Sequence, residues 1–515
     1  MIYARLTRRV FLALTMLVAG AASAQELVAI TNPTEPASAA RGPESSPQPA
    51  SQTSSQHKLG PLDVSVNWRF RTEAWDWFQA PTPAQNAYAF EHSLLRVGLA
   101  QQSERFEWFV EGAQDAILNL PTGAILAGRP GQLGLGGTYF AANGRGQNNV
   151  NGFVRQAYVA FALPANGKLK LGRFTFLDGA EVTPKDKSLA TLVNTRIAQR
   201  LIGDFGFSAV GRSFDGAQLA FDTHAGNFTL LGARPTRGVY QIDAMGELAV
   251  DLFYGAYTVP VNLAKSSGEF RLFSLGYIDE RASVLKTDNR ATALRAADHN
   301  HIRIGTYGAD YIDVFSTQDH GQFDVLFLGA VQNGSWGVLT QRAGAFVGEL
   351  GWQPVIHILN PWFRAGYSFG SGDNNPADGR HGTFFQVLPT PRPYARFPFY
   401  NMMNNEDFFG SAAFRLPRSF VIKSELHALR LANANDLWYG GGGAFQPHTF
   451  GYTGRASGGN RALANVWDVS MDVPWRYGFS FTTYYAHAWG KSVVASIYPA
   501  GTNAQFGYLE TNFHF

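Results

Sequence analysis

The chain has 515 residues, of which 45% are hydrophobic and 14% aromatic but only 16% charged, against roughly a quarter charged in an ordinary soluble domain. A formal net charge of +3 is too weak to argue for a nucleic-acid partner, and the absence of cysteine excludes disulfides and thiolate metal sites. With 40 Phe, 20 Tyr, 11 Trp and 55 Gly, something other than charged surface must cover the fold.

At the N-terminus Arg5, Arg8 and Arg9 precede an apolar run from Val10 to about Ala22, and Ala22-Ser23-Ala24 offers a small-residue cleavage site. Residues 1–24 are therefore expected to be a secretory signal peptide cut after Ala24. "TRRVFL" also has the form of a twin-arginine signal, whereas an ordinary basic n-region accounts for the same residues. Residues 25–60, rich in Ser, Pro, Ala, Thr and Gln, read as a disordered leader on the periplasmic side. Beyond Ala24 no run of about eighteen apolar residues could form a transmembrane helix. The remaining way to satisfy every backbone group in lipid is a closed β-barrel, so residues 61–515 are expected to be all-β: an antiparallel transmembrane barrel.

The strands follow in order. "LDVSVNWRFR" places Val64, Val66, Trp68 and Phe70 on one face and Ser65, Asn67, Arg69 and Arg71 on the other. "RFEWFVE" opposes Phe106, Trp108 and Val110 to Glu107 and Glu111. "FVRQAYVAFAL" carries apolar residues on both faces, and in "KLKLGRFTFL" outward Leu169 and Leu171 would take Arg173 outward too; a bulge or a rim position would resolve either. "SLATLVNTRIAQRLI" (188–202) is the one helical pattern, a short helix within a loop. "HIRIGTY" opposes Ile302 and Ile304 to Arg303, "NVWDVSMDV" opposes Trp467, Val469, Met471 and Val473 to Asp468, Ser470 and Asp472, and "WRYGFSFTTYY" opposes Trp475, Tyr477, Phe479 and Phe481 to Arg476, Ser480 and Thr482. The terminal "FGYLETNFHF" is a last strand, with Leu509, Phe513 and Phe515 facing lipid and Glu510 and Asn512 facing the lumen; it closes the barrel against the first strand. Short turns near 101–105, 163–168, 223–227, 317–321, 416–419 and 474–476 alternate with long loops near 119–150, 178–210, 281–300, 371–407, 432–461 and 490–504. That alternation is the outer-membrane pattern of short periplasmic turns and long extracellular loops, and it gives about eighteen strands.

Several stretches resemble the alginate-export family of outer-membrane barrels: "VSVNWRFRTEAW" in the first strand, "FVRQAYVAFALPANGKLKLGRFTFLDGAE" (153–181), "RSFDGAQLAF" (212–221), "PWFRAGYSFGSGDNNPADGRHGTFFQVLPT" (361–390) and "NNEDFFGSA" (404–412). The resemblance covers most of residues 61–515. It implies an eighteen-stranded monomeric barrel with an arginine-lined constriction that passes a polyanionic polysaccharide from periplasm to cell exterior.

An anionic polymer in a pore needs cations that replace part of its hydration without holding it fast, and the forked guanidinium suits carboxylates. By strand phase the pore-lining candidates are Arg69, Arg71, Arg96, Arg155, Arg212, Arg303, Arg364 and Arg476, with lumen acids such as Glu73, Glu107, Glu111, Asp222, Glu425, Asp468 and Glu510 pairing some of them. Such a lumen is either a selectivity surface or a set of self-satisfied ion pairs.

The Gly-rich loop 119–150 admits two readings: a segment folding into the pore, or a solvated extracellular loop. "GDNNPADGRHG" offers Asp373, Asn375 and Asp378 as oxygens for calcium but lacks the EF-hand spacing, so a polar turn is expected. "GYSFG" (366–370) matches the nucleophile-elbow pattern inside an alternating strand, where no elbow forms. His92, His357, His427, His487 and His514 read as lumen or rim residues rather than ligands. No enzyme activity, cofactor or metal is expected. The expected partners are outer-membrane lipid, the anionic polysaccharide, barrel-assembly machinery that reads the terminal Phe515, and periplasmic export components. The alternatives are a substrate-specific porin taking up small solutes or oligosaccharides, and an adhesive barrel with a plugged lumen.

Overall fold

The computed structural model describes residues 57–515 apart from 264, 282 and 318. The expected signal peptide and the leader up to residue 56 lie outside the described residues. The sheet contains twenty strands, of which two are short: His57–Leu59, and Arg380–His381 inside a loop. The other eighteen form the barrel: β1 Leu62–Asp76, β2 Ala87–Gln102, β3 Phe106–Leu118, β4 Asn149–Leu163, β5 Gly167–Phe174, β6 Phe214–Thr223, β7 Gly226–Pro235, β8 Val250–Leu263, β9 Ser266–Asp279, β10 Ile302–Thr317, β11 Gly321–Trp336, β12 Leu339–Gln353, β13 Pro361–Gly370, β14 Asn405–Arg415, β15 Val421–Arg430, β16 Ala462–Pro474, β17 Phe479–Gly490 and β18 Asn503–His514. Each pairs antiparallel with its neighbour in sequence. β18 returns to β1 in the register Asn67↔His514 to Asp76↔Gln505, so the spanning sheet leaves no open edge. The leader ends earlier than expected: His57–Leu59 folds back on β1 (Lys58↔Asp63), because a free strand start finds ladder partners there.

Alternation decides which face meets which solvent. In β1 Trp68 points out while Arg71 and Glu73 are buried inside; in β18 Leu509 points out while Phe506, Tyr508 and Glu510 are buried inside. The outer face carries an apolar band with Leu230, Phe253, Leu272, Phe327, Val331 and Leu350 exposed. Near the short turns, Phe315, Phe323, Trp352, Phe363 and Phe414 on the five strands β10–β14 form a continuous run of ring contacts at 5.8, 6.2, 6.1 and 6.2 Å. A row of aromatic rings at one height around a sheet is the girdle of a barrel seated in a bilayer.

Two sequence expectations fail here. Ile302 and Ile304 face inward and Arg303 outward, the reverse of the lipid-and-lumen assignment. The reason is that loops fill the lumen at this height, so an isoleucine finds an apolar partner inside as readily as it would in lipid. Arg476 belongs to no strand: residues 475–478 turn the chain, with Tyr477 at positive φ, so Arg476 is exposed at the short-turn end. Arg173 does face outward, as its strand phase requires, and is neutralised there by Asp215 at 2.6 Å.

The long loops fold inward. Loop 119–148 carries a helix, α1 Gly134–Ala142, whose Leu135 and Tyr139 are buried against the inner face of β1 and β2. The Gly134 and Gly136 positions lie against the Tyr88 ring, where a Cβ would collide, so the glycines allow this close approach. Loop 175–213 contains the short helix α2 Lys187–Leu192, capped by Asp186, and continues in a wider turn to Ile197. Loop 371–404 enters from β13–β14, eight strands further round and so nearly opposite. The two loops bond to each other inside the barrel: Leu388 N–H donates to Leu201 O at 2.8 Å, Gly203 N–H to Leu388 O at 2.8 Å, and Thr390 N–H to Gln199 O at 2.9 Å. The backbone of each thus satisfies the other where neither has a strand to join.

Candidate functional site

Several buried arginines gather where the inner wall meets the inward-folded loops. Arg69 on β1 donates to the carbonyls of Gly206 and Ser208 in loop 175–213. Arg71, two residues on and therefore on the same face, donates to Glu510 across the closing seam (Nε to Oε2 2.6 Å) and to Phe207 O at 3.0 Å. Its guanidinium lies between the rings of Phe207 at 4.0 Å and Tyr508 at 4.7 Å. Glu73 completes this patch, 3.5 Å from Arg71 and 3.3 Å from His92.

Arg155 reaches the same loop by a different route. The β3–β4 register shifts at Glu111/Gly112, where Gln156 pairs with Glu111 and Val154 with Gly112, so Arg155 is the extra residue of a bulge. A bulge re-aims side chains, and here Arg155 and Gln156 both turn inward and are buried. Arg155 spans Glu111 at 3.0 Å and Asp204 at 3.1 Å. This is the irregularity that both-faced "FVRQAYVAFAL" hinted at.

Some of these arginines lack a directly bonded carboxylate. Among the described residues Arg96, inward on β2, makes no hydrogen bond and no ion pair, and its Nε is buried without a partner. Arg69 has only backbone oxygens. Arg212 donates to Gly442 O, leaving Nε and Nη1 unpartnered; burial lowers it to about 10, which leaves it charged at neutral pH. Buried cations without a counter-ion are costly and mark functional surfaces in membrane proteins. Arg364, by contrast, is matched: it contacts Asp324 and lies 3.2 Å from Glu349.

Four arginines outside the sequence set join the interior. From loop 175–213, Arg196 grips Glu349 with two bonds of 2.7 Å and Arg200 adds one of 2.9 Å. Arg392, in loop 371–404, is buried with Nε and Nη1 unpartnered. Arg392 sits in irregular backbone with no period to read, whereas Arg196 and Arg200 lie in the segment read as a short loop helix, whose place inside the barrel no strand phase reports. Arg271 on β9 contacts Asp310, and its alternation with outward Phe270 and Leu272 was legible in the sequence.

Other candidate motifs resolve locally. Asp373, Asn375 and Asp378 accept the amides of Asn375, Ala377 and Arg380 in a self-capped polar turn. Ser368 of "GYSFG" lies within β13, without the strand–turn–helix of an elbow.

A family model described as alginate export matches residues 147–489. Solved structures with the same fold include OccAB2 of Acinetobacter baumannii (TM-score 0.53, 7% identity, 88% of this chain and 98% of that one). Another is the outer-membrane protein OpdK of Pseudomonas aeruginosa (TM-score 0.51, 6% identity, 88% and 99%). No curated protein matches the sequence.

Proposed function

This chain belongs to the alginate-export family of outer-membrane channels, and we propose that it passes an anionic, alginate-like polysaccharide from periplasm to cell exterior. The reading rests on the guanidinium groups of Arg69, Arg96 and Arg212 beside the crossing loops, none of which is bonded directly to a carboxylate among the described residues. Such groups lend a uronate chain successive forked contacts, each replacing part of its water, and their backbone or absent partners leave donors free for it. Paired arginines such as Arg71 and Arg364 hold the wall and loops in place. The barrel acts as a passive monomer without catalytic chemistry, reached through assembly machinery that reads Phe515 and fed by periplasmic export components.

One observation favours uptake of small anionic solutes as a second reading: the bonded loops at Leu201 and Leu388 cross the lumen, which a monomeric solute passes more readily than a polymer. Planar-bilayer recording separates the two. Uronate oligomers of increasing length should block current with dwell times that grow with length and shorten again when voltage pulls them through. Permeation by single uronates, with long oligomers failing to enter, overturns the polymer reading in favour of uptake.

A further inference from the structure

We propose that Glu425, His427 and Asp468 form a divalent-cation site of zinc type on the inner wall at β15–β16. Glu425 and Asp468 are direct partners in the antiparallel register, and His427 is the next inward residue along β15. One ligand atom from each lies within 4.8 Å of the others, and all three side chains are buried.

The surroundings prepare these atoms for a cation. Asp407, inward on β14, lies 2.8 Å from His427 Nδ1. A carboxylate there holds Nδ1–H and turns Nε2 toward Glu425 and Asp468, the arrangement that orients metal-bound imidazoles, with metal binding displacing any proton on Nε2. Nε2 is buried and has no hydrogen-bond partner, and neither has Glu425 Oε1. Glu425 Oε2 is held by Lys423 at 2.8 Å, and Asp468 Oδ2 accepts the Tyr484 hydroxyl at 3.0 Å. Arg196 over Phe409 (4.7 Å) and Arg396 over Tyr484 (5.2 Å) flank the patch, yet neither satisfies the two orphan atoms. Lys423 and the two flanking arginines already offset the three carboxylates in charge, so what a dication adds is a direct partner for the two orphan atoms. One nitrogen and two oxygens match zinc, whose bonds of about 2.0–2.2 Å require the three groups to close by roughly 1 Å. In sequence the ligands are an E-x-H pair and a lone Asp on the next strand, so no spacing marks them. The inference holds whatever cargo the channel carries.

The test is equilibrium dialysis of the untagged, folded mature chain against zinc, with calcium in a parallel arm and metal content read by mass spectrometry. The expected result is one zinc per chain in preference to calcium. His427→Gln and Glu425→Gln should abolish it, and Asp407→Asn should weaken it about 10–100-fold. Cobalt in place of zinc should give visible d–d absorption that the same variants lose. Heat-modifiable migration in detergent gels reports whether each variant has closed its barrel; should His427→Gln not fold, Asp407→Asn and the cobalt spectrum decide. Absence of stoichiometric zinc in the wild type, calcium binding as tight as zinc, or full binding by folded His427→Gln overturns the proposal.

Discussion

Arg155, the extra residue of a β-bulge, reaches from the wall to hold Asp204 of the crossing loop at 3.1 Å. A strand irregularity thus adds a charged anchor to the loop beside the Arg69 and Arg71 contacts and the loop's own bonds to Glu349. Removing the Asp204 charge weakens the ionic hold of Arg155 on the loop, so Asp204→Asn should loosen the loop on that side. Single channels of this variant should show higher mean conductance and more frequent flicker; unchanged conductance would mean that other contacts hold the loop.

Charge reversal should separate free from paired arginines. Reversing one charge about 5 Å from a passing ion in water changes its energy by about 1.7 kcal/mol unscreened, and several-fold less in salt. Arg96→Glu and Arg212→Glu should therefore lower the anion-to-cation permeability ratio several-fold. Arg303→Glu and Arg476→Glu, outside the lumen, should leave reversal potentials unchanged. A shift with Arg303→Glu equal to that with Arg96→Glu would refute the assignment of faces.

The strand map was legible because period-2 alternation, short turns and the aromatic terminus all report one solvent boundary. Arg69 and Arg71 could be assigned from phase for that reason. The errors share one cause. Phase arguments assume a wet lumen, and where loops pack inside, as at Ile302 and Ile304, apolar residues face inward and the sign inverts. Arg476 failed because a turn residue has no phase; Arg392 was missed because irregular loop backbone has no period, and Arg196 and Arg200 because a loop helix carries no strand phase to say that it folds into the barrel.

The closing seam carries a buried ion pair between its two strands, Arg71–Glu510. Arg71→Ala would leave Glu510 and Glu73 without their cation, a cost of roughly 3–5 kcal/mol for a broken buried pair. The variant's barrel should unfold in detergent at lower temperature, whereas Lys58→Ala, which removes an exposed pair with Asp63, should not move the transition.

Two groups with opposite pH responses anchor loop 371–404: His381 within it and Asp436 in the neighbouring loop between β15 and β16. Burial lowers His381, stacked 4.2 Å from Trp336, to about 3. A released loop therefore protonates first, and stability present above about 6.5 is lost as pH falls, by up to about 1.4 kcal/mol per unit. Burial raises Asp436, which accepts from Asp373 N–H and Thr383 Oγ1, to about 6. Here the folded form protonates first, so stability grows as pH falls from about 6 towards 4. The two nearly cancel in the wild type. Asp436→Asn should make the loop loosen in acid and His381→Gln should make it tighten, read as hydrogen-exchange protection of residues 371–404 between pH 7 and 4. Parallel slopes in both variants would contradict this balance.

Phe515 exchanges both backbone hydrogen bonds with Val66, at 3.0 Å each, and its ring lies 6.1 Å from that of Phe513. Deleting it removes the last rung of the seam together with the expected assembly signal. Outer-membrane levels should fall sharply while inserted molecules conduct normally; normal levels would count against that role.

The bond between the loops at Leu201 and Leu388 has a mechanical side. A large barrel with a hollow centre flattens easily under the lateral pressure of a bilayer, whereas a strut joined across nearly opposite walls fixes its cross-section. Any event that parted the two loops would also remove the strut, so that freeing the lumen and softening the wall would be coupled.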